Sequence, residues 1–490
     1  MCSAVVGLSG LCASAAFTDY NSKLPTWDAD QIEIGILYFG ISRSELMKIA
    51  ITTLGCKINQ YDSAVIQNRL EHNHSFVPFD DAADCYVINT CTVTDRADGE
   101  ARQLVRRAKR LNPAAKVLVT GCYAQINPNE VARLDGVDYV VGLNRLDDLL
   151  RFVESPALGD TQVAVSDVKR ERGVPVLGTR ALPGHTRAFL KIQEGCNYTC
   201  SYCIIPTARG LSRSVAPRDV LEQVRHLAGA GYQEVVLTGI HLGGYGQDLQ
   251  PKLDLTALVE QIVESGLMAR IRLSSLDPRE LPDRLLDLMA RSAILCPHLH
   301  ICAQAGDDAI LKAMRRNYNT AYYRDLLARV RQRMPEAALG SDIIVGFPGE
   351  SAGQFEASLA YFDSLPLTYF HVFPYSDRRG TAATALPQAV PAAEKKLRAQ
   401  RMRALGERKK QEFCARFAGR RLAVLVEGKV DKTNGWQRGF SRNYLPVTVA
   451  GGGALANREV SVRLGEYRNG WLRGSIDVPE EERKPTTTLS

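Results

Sequence analysis

The sequence predicts an α/β protein in three parts: an N-terminal parallel-sheet α/β domain, a central partial (β/α)6 barrel and a C-terminal small β-barrel. Three observations predict it. Short apolar runs alternate with helical stretches over 48–152 and again over 186–418, the order that gives parallel sheets covered by helices. The second stretch holds six strand candidates, too few for an eight-unit barrel and suited to an open one. From 419 the chain turns to Val, Gly and Arg, with short runs at 422–427 and 460–464 between glycines such as Gly439 and Gly474, as in a small all-β barrel or sandwich.

In the first part, 47–153, strands are expected at 48–54, 84–89 and 116–120, with helices at 63–72, 96–111 and 129–134. Residues 154–185 mix Pro, Gly and charge with little periodicity and read as a linker. The second part, 186–418, places strands at 188–193, 234–237, 270–273, 298–302, 341–346 and 369–374, and its working face is expected at their C-terminal ends. The β-barrel spans 419–479. Residues 480–490 read as a tail and 1–46 as a disordered extension, with Met47 a candidate start.

The 490 residues suit about three domains. A hydrophobic share of 45% and a charged share of 23% are those of a soluble globular protein. No run reaches the roughly 20 apolar residues of a membrane span, and no Lys or Arg precedes the apolar start, as a secretory signal requires. A net charge of +7 allows an anionic partner. Twelve cysteines in a chain too long to need disulfide staples argue for metal ligation in a reducing cytoplasm.

Cys196, Cys200 and Cys203 stand at C-x3-C-x2-C spacing directly after the first strand of the second part. Thiolates are soft donors and suit an iron–sulfur cluster. Three ligands leave one iron open for a cofactor, much as catalytic zinc keeps a free position. A zinc site would want a fourth ligand near by, and none follows at typical spacing. A second set is dispersed: Cys56, Cys91 and Cys122 each follow a predicted strand of the first part. Strand-to-helix turns of a parallel sheet share one edge, the edge where ligands bind, so these three converge there as a second ligand set. The alternative is three buried thiols. Cys85 is expected within a strand; Cys296, Cys302 and Cys414 read as structural, and Cys2 and Cys12 as extension residues.

The Cys196–Cys203 motif on the first loop of a partial barrel resembles the radical S-adenosylmethionine superfamily. The resemblance implies that the amino and carboxylate groups of S-adenosylmethionine chelate the open iron, and that an electron from the cluster yields a radical able to take hydrogen from an unactivated carbon. Thr238 and Gly239 resemble the motif for the methionine amino group, and Asp342 with Gly346 the adenine-side motif. Ser274, Ser275, Gln304 and Val372, at the remaining strand ends, complete the expected cofactor contacts.

Over 48–474 the chain resembles the methylthiotransferases. The matches are Leu54-Gly55-Cys56 with Asn59, Asn89-Thr90-Cys91, Gly121-Cys122, the run 194–210 (EGCNYTCSYCIIPTARG), Ser274-Ser275-Leu276-Asp277-Pro278 and 342–350. The run 439–444 looks like the family's small RNA-binding β-barrel. At 303–306 the chain reads Ala-Gln-Ala-Gly where the family has Leu-Gln-Ser-Gly, so Gln304 stays and the serine does not. The resemblance implies two 4Fe–4S clusters, S-adenosylmethionine, an electron donor such as flavodoxin or ferredoxin, a sulfur source and tRNA. Branches of the family act on isopentenyladenosine or threonylcarbamoyladenosine in tRNA, or on an aspartate of a ribosomal protein. The context Cys56-Lys57-Ile58-Asn59-Gln60 is most similar to the bacterial threonylcarbamoyladenosine branch, which implies a methylthio group placed on carbon-2 of that adenine. Its carboxylate would want a cation, from Lys57 or a nearby arginine, unless Lys57 is simply solvated.

A rival of another class is a non-catalytic metal-containing RNA-binding protein. It accounts for basic residues crowding 102–110 and 395–410, each otherwise a solvated helix face, and for Trp436, Phe440 and Tyr444, which either stack on bases or form barrel core. It leaves the open iron unexplained.

Overall fold

Strands β1 (Lys48–Thr53), β2 (Ser75–Phe76), β3 (Cys85–Thr90), β4 (Lys116–Gly121), β5 (Tyr139–Val141) and β6 (Gln162–Ala164) form one parallel sheet in the order β2-β1-β3-β4-β5-β6. The computed structural model describes residues 46–156, 159–174, 185–450 and 455–476. The expected extension with Cys2 and Cys12, and the tail, lie outside them. Alternation along the strands sorts side chains onto two faces, as a pleat of period two requires. Tyr86, Ile88, Val117 and Val119 join one apolar cluster with Val105 of helix α2 (Asp95–Leu111). Cys85, Val87 and Leu118 join the other with Ile66 of α1 (Lys57–Leu70). A parallel sheet covered on both faces by helices follows directly.

Two expectations are corrected. The helix expected at 63–72 begins a turn and a half earlier, at Lys57, where Lys57, Asn59, Gln60 and Asp62 dilute the apolar signal of the buried Ile58 and Tyr61. The stretch 154–185, read as a linker, contributes the edge strand β6, paired with β5 from Tyr139 to Val141. A three-residue edge strand with half-exposed side chains leaves no periodicity to detect.

Strands β7 (Arg187–Glu194), β8 (Arg213–Ser214), β9 (Glu234–Gly239), β10 (Arg270–Leu273), β11 (Ser275–Leu276), β12 (His298–Ile301), β13 (Ala338–Val345) and β14 (Tyr369–Pro374) build the partial barrel. Its parallel strands run β7-β9-β10 and β12-β13-β14. Ile271 N–H to Ile294 O (2.9 Å) and Cys296 N–H to Ile271 O (2.8 Å) join the two halves. The six β/α units are those the apolar runs predict. Strands β15 (Arg421–Val430), β16 (Gln437–Ser441), β17 (Pro446–Val449), β18 (Glu459–Arg468) and β19 (Trp471–Ile476) close into a barrel around Val424, Val426, Val447, Val462 and Leu472, which decides between barrel and sandwich. Among the described residues no helix is long and apolar enough to cross a membrane.

A buried charge network joins the small barrel to the partial one. Glu234, fully buried, accepts from Arg272 Nε at 2.8 Å and pairs with Arg270 at 2.7 Å. Arg270 also donates to Glu459 and to the Phe440 and Ser441 carbonyls. Burial alone would raise Glu234; Arg272 and Arg270 overcome it and hold the carboxyl down at about 2.

Candidate active site

Both cysteine sets occupy strand ends. Cys56 caps α1, Cys91 directly follows β3, and Cys122 opens helix α3 (Cys122–Ile126) after β4. Two glycines bring the three turns together. At Gly55 a Cβ would sit 2.7 Å from the Cys91 Cβ, and at Gly121, with φ +96°, it would sit 2.3 Å from the Thr90 carbonyl. Asn59 laces the edge, its Nδ2 donating to Leu54 O (2.8 Å) and Thr90 O (3.0 Å). Cys91 and Cys122 are buried and Cys56 is exposed. Burial pushes the Cys122 thiol up to about 12, opposed by the Arg209 guanidinium beside it.

The second set lies on the loop after β7. Cys196 N–H bonds Gly210 O (3.1 Å) and Cys203 N–H bonds Cys200 O (3.1 Å), a tight turn that holds the three thiols on one loop. Arg316 donates to Cys200 Sγ at 3.1 Å and pairs with Asp277. Burial pushes Cys203 up to about 12. A cleft of about 220 Å³ opens beside this loop, lined by Asn197, Tyr198, Thr199, Arg315, Arg316 and Asn317. All six thiols are free. Three soft donors on one loop, and three on one sheet edge, each beside a guanidinium that would offset thiolate charge, suit iron–sulfur ligation.

The remaining predicted residues divide. Thr238 and Gly239 end β9, Ser274 lies buried between β10 and β11, and Gln304 follows β12 with φ +64°. Gln304 is pinned by its own N–H to Asp342 O (2.9 Å) and by Ile344 N–H to its carbonyl (2.8 Å). Ser275 Oγ lies 2.9 Å from His300 Nδ1. Asp342 gathers His300 at 3.4 Å, His371 at 3.3 Å and the Cys302 thiol at 3.4 Å. Cys302, expected to be structural, therefore belongs to this polar interior; no feature of a lone cysteine in an apolar run signals it. Two expectations weaken. Val372 is buried in the main apolar core, its neighbour His371 facing Asp342, so only its backbone remains for a cofactor. The bare Cα of Gly346 meets Lys395, whose Cγ would lie 2.3 Å from a Cβ, and its N–H bonds Glu350 at 2.6 Å. Ala305, where the family has serine, packs in an apolar cluster with Phe347 and Tyr375.

Lys57 is half-buried, and no hydrogen bond or ion pair with the described residues holds its ammonium. Burial pushes its pKa down; Tyr444 opposes this, and Arg187 and Arg272 add to it. Tyr444 and Phe440 are stacked (centroids 5.0 Å), with Arg187 over Phe440 at 4.6 Å and Arg272 over Tyr444 at 5.0 Å. These two rings are therefore a joint between the barrels, where the sequence left open base stacking or barrel core. The basic stretches are mostly braces. Arg107 pairs with Asp80 and Lys109 with Asp138. In α5 (Ala392–Ala415), Arg398 pairs with Glu350, Arg401 with Glu356 and Arg408 with Asp363.

Sequence reasoning missed the charges that tie the two cysteine sets together: Asp62, Lys191, Glu194 and Arg209. Arg209 stands inside the matched run 194–210, which was the available signal, but an arginine's partners are legible only in three dimensions.

The fold and this pair of cysteine sets define a radical S-adenosylmethionine enzyme: residues 190–362 match the radical SAM superfamily, and 48–142 match the uncharacterized protein family UPF0004. The chain is 37% identical to the threonylcarbamoyladenosine tRNA methylthiotransferase MtaB of Bacillus subtilis (strain 168), over 85% of this chain and 93% of that one. It is 40% identical to the MtaB of Aquifex aeolicus (strain VF5), over 78% and 93%. It is 31% identical to the tRNA-2-methylthio-N(6)-dimethylallyladenosine synthase of Staphylococcus aureus (strain JH9), over 87% and 84%. The chain belongs to the radical SAM methylthiotransferase family and is a transferase. Membership brings S-adenosylmethionine and 4Fe–4S clusters as its cofactors.

Proposed function

We propose that this chain places a methylthio group on carbon-2 of N6-threonylcarbamoyladenosine beside the anticodon of tRNA. The observation that carries the substrate is the closer similarity to the threonylcarbamoyladenosine enzymes, 33–40% against 31% for the dimethylallyladenosine enzyme, over most of every chain. In this reading Cys196, Cys200 and Cys203 hold the cluster that binds S-adenosylmethionine, and Cys56, Cys91 and Cys122 hold the second cluster. Bound there, the two clusters and S-adenosylmethionine supply the hydrogen abstraction and the sulfur and methyl transfer.

The chain's own residues bind and orient. Thr238, Gly239, Ser274, Ser275, Gln304, Asp342, Gly346 and the Val372 backbone surround S-adenosylmethionine at the strand ends. Lys57, next to Cys56 and without a hydrogen bond or ion pair among the described residues, takes the threonyl carboxylate, which would be costly to bury unpaired. Residues 47–153 carry the second cluster, 186–418 the radical chemistry, and the small barrel of 419–479 grips RNA. An electron donor such as flavodoxin or ferredoxin and a sulfur source complete the system, in the cytoplasm. The test is to incubate reconstituted protein with tRNA bearing either nucleoside and read the digested products by mass. The expected result is the 2-methylthio product on threonylcarbamoyladenosine; a product on isopentenyladenosine alone would sink the substrate.

A further inference from the structure

Arg209 ends the short helix α4 (Ile205–Arg209), which starts two residues beyond Cys203 and packs on α3, the helix that Cys122 opens. One five-residue helix thus spans from one cysteine set to the other. The Arg209 side chain is 1% exposed. Its Nη1 donates to both Glu194 oxygens at 3.0 Å, and its Nη2 donates to Asn59 Oδ1 at 2.6 Å and to Asp62 at 3.2 Å. Asn59 Oδ1 is in turn 3.9 Å from Cys56 Sγ. Lys191 pairs with Asp62 (2.7 Å) and Glu194 (2.9 Å), so two cations meet two carboxylates in this buried knot. One donor is left over: the buried Arg209 Nε–H has no partner among the described residues. The Nε–H groups of Arg213, Arg270 and Arg438 are likewise buried and unpaired among the described residues, but that of Arg209 belongs to a guanidinium beside the Cys122 thiol, and a buried donor left unbonded is costly, which points to a sulfur acceptor there.

We propose that Arg209 tunes the Cys56/Cys91/Cys122 cluster as a positioning residue, placing a fixed positive charge beside it and offering its free Nε–H to a cluster sulfur. A positive charge and hydrogen bonds to sulfur both stabilise the reduced form of a cluster, so they raise its reduction potential. Asp62 and Glu194 set how much of that charge the cluster feels. Because α4 grows out of the Cys203 loop, the charge is delivered by the partial barrel, and the potential of the second cluster depends on the two parts being docked.

The inference rests on the reading that Cys56, Cys91 and Cys122 hold a cluster, and the experiment separates the two. The full chain carrying Cys196→Ala, Cys200→Ala and Cys203→Ala is reconstituted anaerobically, so that only the second cluster reports. Its iron content tests the cluster; absence of iron here overturns that reading and this one with it. With iron present, the one-electron potential is then read by EPR-monitored titration in Arg209→Gln, Arg209→Lys and Asp62→Asn backgrounds. The expected results are a more negative potential in Arg209→Gln, partial recovery in Arg209→Lys, and a more positive potential in Asp62→Asn, which retains the arginine should Arg209→Gln fail to fold. An unchanged potential in an iron-loaded Arg209→Gln protein, or a shift to more negative values in Asp62→Asn, overturns the proposal and leaves Arg209 a structural strut.

Discussion

At the residue scale the site is built from atoms that geometry leaves unsatisfied. Lys57 is the clearest case: a half-buried ammonium whose pKa burial lowers, with no counter-ion in ion-pair contact among the described residues, Asp342 opposing the shift only from a distance. If the substrate carboxylate is that counter-ion, Lys57→Ala loses a charged hydrogen bond of about 1.5–3 kcal/mol, which is roughly tenfold to a hundredfold in kcat/KM for threonylcarbamoyladenosine tRNA. S-adenosylmethionine cleavage without tRNA should be unchanged, and an unaltered kcat/KM would return Lys57 to the solvent-facing reading. The cysteines were legible because their chemistry is rare and their spacing restrictive. Arg209 and the joint of Phe440 and Tyr444 were not, because arginine and aromatic side chains serve many surroundings and only the docked structure selects one.

At the element scale the strands were legible wherever both faces of a sheet are buried, as in β3 and β4, whose apolar runs are continuous. The short edge strand β6 and the mostly polar first turn of α1 carry no such pattern, and both were placed by pairing and packing. The turn between β4 and α3 is specified by one glycine. Gly121→Ala would force an unfavourable φ and a Cβ 2.3 Å from the Thr90 carbonyl. It should reduce iron held by the Cys56 set while leaving that of the Cys196 set in place, as iron analysis of the variant in each triad background will report; full occupancy of both sets would refute the role of this turn. The Glu234 network makes a prediction of the opposite kind, about stability. Its carboxyl titrates near 4.3 when unfolded and at about 2 in the fold. Its contribution is therefore complete above the unfolded value and fades as pH falls through 4 towards 2. Glu234→Gln, which leaves Arg272 without its buried carboxylate and Arg270 with Glu459 alone, should cost about 3–5 kcal/mol at pH 7. The gap to the parent, measured by urea unfolding, should narrow on acidification; a gap independent of pH would contradict the assignment.

At the scale of the whole molecule, two cysteine sets on two different sheets imply two clusters with divided labour. Anaerobically reconstituted protein should carry about eight irons per chain, and replacing either set by alanine should halve that. Only the Cys196 set should be needed to form 5′-deoxyadenosine from S-adenosylmethionine after reduction; loss of that product in a folded Cys56-set variant would refute the division. The three-part order was legible because each part has its own periodicity, whereas the docking between parts, through Glu234, Arg209 and the Phe440–Tyr444 joint, depends on charges and rings that sequence alone does not pair. The central claim is the product itself. Expressed in a host lacking its own tRNA methylthiotransferases, the chain should restore 2-methylthio-N6-threonylcarbamoyladenosine in digested tRNA, and alanine at Cys196 or at Cys56 should abolish it. A methylthio mark confined to isopentenyladenosine, or no mark in tRNA at all, would contradict the account.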